Sequence, residues 1–306
     1  MEFFNPDSKI DFMGLRKWTA IFSGLVFVLS ILALGYYGLT LGLDFTGGTQ
    51  IEVHYQKSVD LQSIRDQLEK AGYSESSNKV ISYGSSKDVL ISIAPEAGVK
   101  QQDMLKKLVR YLPGGEIKRV EMVGPQVGKE LATKGTLAII VSMLLTMIYI
   151  AMRFEYRFAI SSVIALVHDP LLILGVFAFL GMEFDLKALA ALLAVIGYSL
   201  NDTIVVFDRV RENFKKLRKA DPIEVMNISI NQTLSRTVMT SALTLFVVIA
   251  LFLYGGEAIH GFALALMIGI LIGTYSSIYV AGAFAVALGL NRQDFLPTKR
   301  VIDDTP

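Results

Sequence analysis

The sequence predicts an α-helical polytopic membrane protein of six transmembrane helices, with an α+β domain inserted after the first. Two observations carry this. Of 306 residues, 53% are hydrophobic and only 19% are charged, where soluble domains average about a quarter charged. The apolar excess is also concentrated. No Asp, Glu, Lys or Arg occurs in the 26 residues between Lys17 and Asp44, the 20 between Arg236 and Glu257, or the 34 between Glu257 and Arg292. About 20 such residues cross a bilayer as helix. A soluble enzyme is excluded on this ground.

Taken in order, a cytoplasmic tail at 1–18 leads into a first span at 19–41. Arg16 and Lys17 precede it, but the apolar run is too long for a signal-peptide core. No small-residue cleavage site follows, so the span reads as an uncleaved anchor. The inserted domain occupies 42–134. Five spans follow at 135–152, 158–181, 188–207, 237–256 and 262–290. A basic segment lies at 208–236 and a tail at 291–306. Asp169 and Asp202 interrupt the third and fourth spans. With the N-terminus in the cytoplasm, the inward segments hold 15 of the 29 basic residues, while the two short outer loops hold only Lys187. That bias places both termini inside. The other 13 basic residues fall in 42–134, a domain long enough to cross regardless of charge.

Within 42–134, Ile51, Val53 and Tyr55 alternate with polar neighbours, as in a half-buried strand. Leu61, Ile64 and Leu68 fall at helical spacing between an opening Asp60 and a closing Gly72. Two strands are expected around Lys79–Tyr83 and Asp88–Ile93. A second helix follows on Met104, Leu105, Leu108, Val109 and Leu112, ended by Pro113, Gly114 and Gly115. A last strand covers about Glu116–Val123. The order β-α-β-β-α-β is the ferredoxin-like arrangement. No metal, phosphate or triad constellation stands in it. The reading is a binding or docking module.

Composition narrows the chemistry. Cysteine is absent, so there is no disulfide, thiolate metal site or Cys nucleophile. His54, His168 and His260 fall in three different segments, so no metal is expected. No cofactor is expected either. A formal charge of +1 gives no nucleic-acid surface. The Gly-rich turn Gly42–Thr49 lacks a following Lys in P-loop position and reads as a tight membrane-to-domain turn. Gly269, Gly273 and Ser277 repeat at every fourth residue, a spacing that lets helices approach closely. Arg209, Arg211, Lys215, Lys216, Arg218 and Lys219 form a basic helical segment at the inner face, in contact with headgroups.

Ionisable groups at membrane depth are the candidates for function, because they are costly unless they face a bundle interior or water. Asp202 stands in Tyr198-Ser199-Leu200-Asn201-Asp202-Thr203, with Ser199 about one turn earlier on the same face. It is either a protonatable carboxylate or a structural helix–helix bond. Arg236, at the mouth of the next span, is its candidate partner or an interfacial arginine that snorkels. Thr240 and Thr244 follow it on one polar face. His168-Asp169-Pro170 reads as a buried polar cluster that satisfies a proline-kinked backbone, or as a second relay. Asp202 and Arg236 are the primary candidates. Asp169, His168, Asn201, Ser199 and Thr240 are the secondary ones.

Several stretches then resemble a known family: Leu43-Asp44-Phe45-Thr46-Gly47-Gly48-Thr49, Arg153-Phe154-Glu155, Ala165-Leu166-Val167-His168-Asp169, the run from Val195 to Asn213, Arg236-Thr237, and Gly273-Thr274-Tyr275-Ser276-Ser277-Ile278. They resemble the SecF family of bacterial protein-export membrane proteins. The layout of one span, a domain and five spans is similar to half of a resistance-nodulation-division (RND) transporter. The resemblance implies an inner-membrane subunit with 42–134 in the periplasm. It implies pairing with SecD and association with the SecYEG channel, often with YajC and YidC. It implies use of the proton-motive force to draw preproteins outward late in translocation. The family's ion-coupling Asp and Arg map onto Asp202 and Arg236. Proton and sodium both stay open. So do a passive scaffold and half of a small-molecule RND exporter. A membrane enzyme is not expected, since no nucleophile–base pair is visible.

Overall fold

The computed structural model describes residues 9–73, 78–94, 110–112, 114–217 and 219–291. In chain order these form helix α1 (Arg16–Tyr37), strand β1 (Thr40–Leu41), the short helix α2 (Leu43–Thr46), β2 (Gly48–Tyr55), α3 (Leu61–Lys70), β3 (Asn78–Tyr83), β4 (Ser85–Ile93) and β5 (Gly115–Val123). Then come α4 (Pro125–Arg153), α5 (Tyr156–Leu180), β6 (Glu183–Phe184), α6 (Leu186–Lys216), α7 (Pro222–Tyr254) and α8 (His260–Ser276). A π-helical segment (Ser277–Ala281) and α9 (Gly282–Ala287) complete the sixth span. Among the described residues, six helices are long and apolar enough to cross a membrane.

The spans outrun their charge-free windows. Charges mark where hydrocarbon ends, whereas helical hydrogen bonding continues until a cap or a glycine stops it. α1 ends at Tyr37 rather than 41, because Gly38 adopts φ +70°. α4 begins at Pro125 rather than 135, with the proline at its first turn, where a missing N–H costs nothing. The inserted domain is therefore shorter than 42–134. α6 runs to Lys216 and α7 starts at Pro222, so most of the 208–236 segment is helix, in line with its basic helical pattern. Asp221 opens α7 by accepting from Ile223 N.

The N-terminal segment is not a free tail. Asn231 pins Ile10 through both its amide atoms, and Asn227 bonds Met13 N and Asp11. Met13 is wholly buried.

The domain's sheet has the order β3-β4-β2-β5 with every neighbour antiparallel. That is the order of the split β-α-β arrangement. Ile51 on central β2 pairs with Ile91 of β4 and Val120 of β5. Its core is Ile51, Val53, Ile64, Leu68, Val80, Val89, Ile91 and Ile93. Each such side chain contributes about 1.5–3 kcal/mol when fully buried. Asp60 caps α3 as expected, accepting from Gln62 N at 3.2 Å. Of the expected second helix, Met104, Leu105, Leu108 and Val109 lie outside the described residues, while Arg110 and Tyr111 are helical and Leu112 is buried in this core.

The junction between domain and bundle is close-packed. β1 pairs in parallel with β6, Thr40 beside Glu183 and Leu41 beside Phe184. Asp44 accepts from Leu186 N at the start of α6, and Phe45 enters the apolar cluster of Phe177, Phe184 and Leu189. The chain then turns through Gly47 (φ +69°) and Gly48 (φ +124°). A Cβ on Gly48 would lie 2.4 Å from the Ile93 carbonyl oxygen, and one on Gly128 of α4 would lie 2.8 Å from Gly47 N. Only glycine fits where backbone meets backbone so closely at positive φ.

In the bundle, α5, α6 and α8 are half-buried while α1, α4 and α7 present most of their surface outward. The small residues of α8 do what their spacing suggested. A Cβ on Gly269 would meet Val195 of α6 at 2.2 Å, and one on Gly273 would meet Ser199 at 2.9 Å.

Candidate functional site

The close approach of α8 to α6 builds a polar cluster in the bundle interior. Asp169 of α5 is 1% exposed. Its Oδ2 accepts from Ser199 Oγ of α6 and, at 2.7 Å, from Ser276 Oγ of α8. Its Oδ1 lies 2.9 Å from His168 Nδ1. Three helices thus converge on one carboxylate. The sequence suggests why. Pro170 leaves the Leu166 carbonyl without its helical donor, Gly273 removes the side chain that would hold α8 away from Ser199, and Ser276 stands three residues further on the same face. The His168 ring stacks on Phe27 of α1 at 6.0 Å with 3° between planes, which brings α1 into the same assembly. Both carboxylate oxygens of Asp169 are thereby engaged.

Asp202 is different. It lies on α6 about 24 Å from the helix start, at 1.5 Å per residue, and is 4% exposed. Its Oδ2 is buried with no hydrogen-bond partner. Ser199 shares its face, as expected, but the Ser199 hydroxyl serves Asp169. Arg236 of α7 is close enough to act on Asp202 through its charge, yet among the described residues no ion pair joins the two. Arg236 is exposed, on the outward side of α7, and its inward neighbour Thr237 takes the buried position, with its own Oγ1 unpartnered. The attraction between the two charges acts across a gap.

The secondary candidates divide in the same way. Asn201 and Thr240 face outward. The Thr240 hydroxyl is satisfied within its helix by the carbonyls of Arg236 and Thr237, whereas Asn201 points away from Asp202. His168, Ser199 and Asp169 form the interior cluster. Asn201, Arg236 and Thr240 thus make an exposed polar set on α6 and α7, beside the buried Asp202.

Three polar links went unassigned in the sequence. Ser276 was visible within a family-like stretch but carried no role there, because a hydroxyl in an apolar run has no distinctive spacing. Tyr198, Ser241 and Thr274 join α6, α7 and α8 through bonds of 3.1 and 2.7 Å. At the inner end, one guanidinium nitrogen of Arg153 reaches both carboxylate oxygens of Asp208 at 2.8 Å. Both partners are over a third exposed, which limits that pair to about 0–1 kcal/mol.

The family model described as "Protein export membrane protein SecD/SecF, C-terminal" matches residues 103–291, and that of the "SecD/SecF GG Motif" matches residues 34–59. The protein translocase subunit SecF of Vibrio alginolyticus is 48% identical over 95% of this chain and 93% of its own length. The chain belongs to the SecF family. SecF of Pseudomonas aeruginosa is 45% identical over 97% of this chain and 98% of its own. SecF of Escherichia coli O157:H7 is 42% identical over 98% and 94%. Among solved structures, SecDF from Thermus thermophilus, described as a translocon-associated membrane protein, superposes with a TM-score of 0.86 at 36% identity over 94% of this chain. A SecDF in a super-membrane-facing form gives 0.69 at 36% identity over 92%. The chain spans 39% of the length of each of those SecDF chains. It is a multi-pass membrane subunit of a protein translocase. Within the motif model fall the two glycines whose positive φ and close backbone contacts are described above, which supplies a physical reason for that pair.

Proposed function

We propose that this chain is the SecF half of a SecD–SecF motor that uses the proton-motive force to promote late-stage translocation and release of preproteins across the bacterial inner membrane. It is not an enzyme in this reading. Both termini lie in the cytoplasm and the α+β domain lies in the periplasm, as the basic-residue bias supports. SecD is the direct partner. The SecYEG channel, with YajC and YidC, forms the wider assembly.

The observation that carries the reading is Asp202. A carboxylate at membrane depth with an unpartnered buried oxygen is poised to take up a cation and release it, whereas Asp169 has both oxygens already engaged. Protonation of Asp202 removes its attraction to Arg236 and shifts the packing of α6 against α7. α6 is tied at its outer end to Asp44 and to the β1–β6 ladder, so its movement reaches β2 and the domain. The membrane potential supplies about 2.3 kcal/mol per charge per 100 mV, enough to bias a two-state equilibrium by more than a decade. The test is potential-dependent release of a preprotein from membranes carrying Asp202→Asn, with Asp169→Asn for comparison. Loss of release in the Asp202 variant is expected. Unchanged release would make the chain a passive scaffold.

A further inference from the structure

We propose that one buried water is bound between α5 and α6 by Ser162, Asp169, Ser199 and Thr203, and that it makes Asp169 a second proton station beside Asp202. This rests on the ion-coupling reading of Asp202. The four side chains line a cavity of about 10 Å³ together with Ala165 and Ile196, and about that volume admits a single water. The Ser162 hydroxyl is the second observation. Ser162 is 1% exposed and its Oγ has no hydrogen-bond partner. Buried hydroxyls are rarely left so. Ser162 precedes Asp169 by two helical turns on the same face of α5.

The remaining partners suit a water and suit proton passage. Thr203 Oγ1 donates to the Ser199 carbonyl at 3.2 Å, which leaves its lone pairs free to accept from the water. Ser199 Oγ already donates to Asp169 Oδ2. Ser199 and Thr203 bracket Asp202 on α6, and Ser199 is about 4.5 Å from it along the axis. On this path the proton of Asp202 enters the cavity between Ser199 and Thr203, the two lining residues that flank Asp202 on α6, and passes to the water. The water releases a different proton to Ser199 Oγ, and Ser199 passes its own hydroxyl proton to Asp169 Oδ2. One proton leaves Asp202 and one arrives on Asp169. Water and serine end as they began. Ser276 and His168 hold Asp169 in position to receive it. In this role Asp169 is a relay carboxylate as well as a structural one.

The test uses the chain assembled with its SecD partner in proteoliposomes, with proton uptake read under an imposed pH gradient and potential. Removing the hydroxyls with little change of shape, in Ser162→Ala and Thr203→Val, is expected to slow uptake about tenfold, within the span that a lost proton-transfer group costs. Both variants are also expected to change the solvent deuterium isotope effect, which a merely structural role would leave alone. Thr203→Ser keeps a hydroxyl and is expected to restore uptake. A map of the complex that resolves waters is expected to show density within hydrogen-bond reach of Ser162 Oγ. Unchanged uptake in both hydroxyl-free variants while Asp202→Asn abolishes it would overturn the relay and leave the coupling reading standing. No density at that position in the wild type would likewise overturn it. Uptake that survives Asp202→Asn would overturn both.

Discussion

Replacing Gly48 by alanine tests whether the start of β2 packs as closely against β4 as its backbone contacts indicate. Gly48 sits at φ +124°, and the new methyl would start 2.4 Å from the carbonyl oxygen of Ile93. That oxygen belongs to β4, whose Ile93 pairs with Thr49 of β2, so it cannot withdraw without opening the ladder. Strain at a sparsely populated backbone conformation costs about 1–3 kcal/mol. Forcing a methyl into a filled space adds about 1–3 kcal/mol. Gly38 supplies the control. It also has positive φ (+70°), but nothing lies within 4 Å of its added Cβ, so Gly38→Ala carries only a left-handed penalty of about 1–2 kcal/mol. The difference, near 3 kcal/mol, is roughly a hundredfold in an opening equilibrium. Amide hydrogen exchange of β2 and β4 in the full-length chain reads this directly. Protection at Ile51 and Ile91 should fall about a hundredfold further in Gly48→Ala than in Gly38→Ala. Equal exchange in the two variants would refute the close approach.

Other expectations follow from single contacts. Asp88 is held at a pKa of about 2, below the ordinary 3.8, by hydrogen bonds from Ser85, His54 and Lys118. A lowered carboxylate pKa stabilises the fold above the unfolded value, so the contribution is complete above about pH 4 and is lost as pH falls through about 2. Melting curves should show that acid-side loss, and Asp88→Asn should flatten it. Asp60→Ala removes the α3 cap and should cost the domain about 0.5–2 kcal/mol, read from exchange at Ile64 and Leu68. Ser276→Ala leaves the buried Asp169 with one donor fewer and should destabilise the bundle by about 1.5–3 kcal/mol in a detergent melt. Lys79 and Glu183 pair at 3.5 Å between domain and loop with both ends partly exposed. A double-mutant cycle should find less than about 1 kcal/mol, fading as salt rises.

Much of the architecture was legible because its signals are periodic or compositional. Apolar windows located six spans, the third and fourth across a single carboxylate, and alternation at Ile51, Val53 and Tyr55 found the central strand. Asp60 and Gly72 bracketed α3. What a window cannot see is where a helix stops once it has left the hydrocarbon. Pro125 and Asp221 set those ends through local backbone chemistry, so the span after the domain starts ten residues before its apolar window and the next-to-last span starts at Pro222. The site was legible in its charged members and opaque in its neutral ones. Asp169 and Asp202 stand out against an apolar background, whereas Ser162 and Ser276 are hydroxyls in runs of small residues. Their importance is a matter of which helices meet. Opposite charge on neighbouring spans made Arg236 a candidate partner of Asp202, with an interfacial arginine as the alternative. The helical phase of α7 puts Thr237 in the inward position and Arg236 on the outer face, so that its charge acts on Asp202 without a direct ion pair among the described residues.

That outward phase is itself an argument about assembly. A charged side chain facing hydrocarbon costs about 2.5–3.5 kcal/mol even on insertion scales, and an amide such as Asn201 also needs partners there. Thr240 avoids the cost by bonding its own helix, so it asks for nothing. Among the described residues no side-chain bond of this kind serves Arg236 or Asn201, and α7 is among the least covered helices of the bundle. The polar side of these two helices therefore suits a second membrane subunit, which the proposed SecD partner supplies. On this account the interior cluster at Asp169 is built from one chain, while Asp202 and Arg236 are half of a site. Arg236→Ala should then weaken co-purification with SecD in mild detergent, whereas Ser276→Ala, which disturbs only the interior, should leave it intact. Equal retention of SecD by both variants would mean that Arg236 does not face the partner and that some other surface covers it.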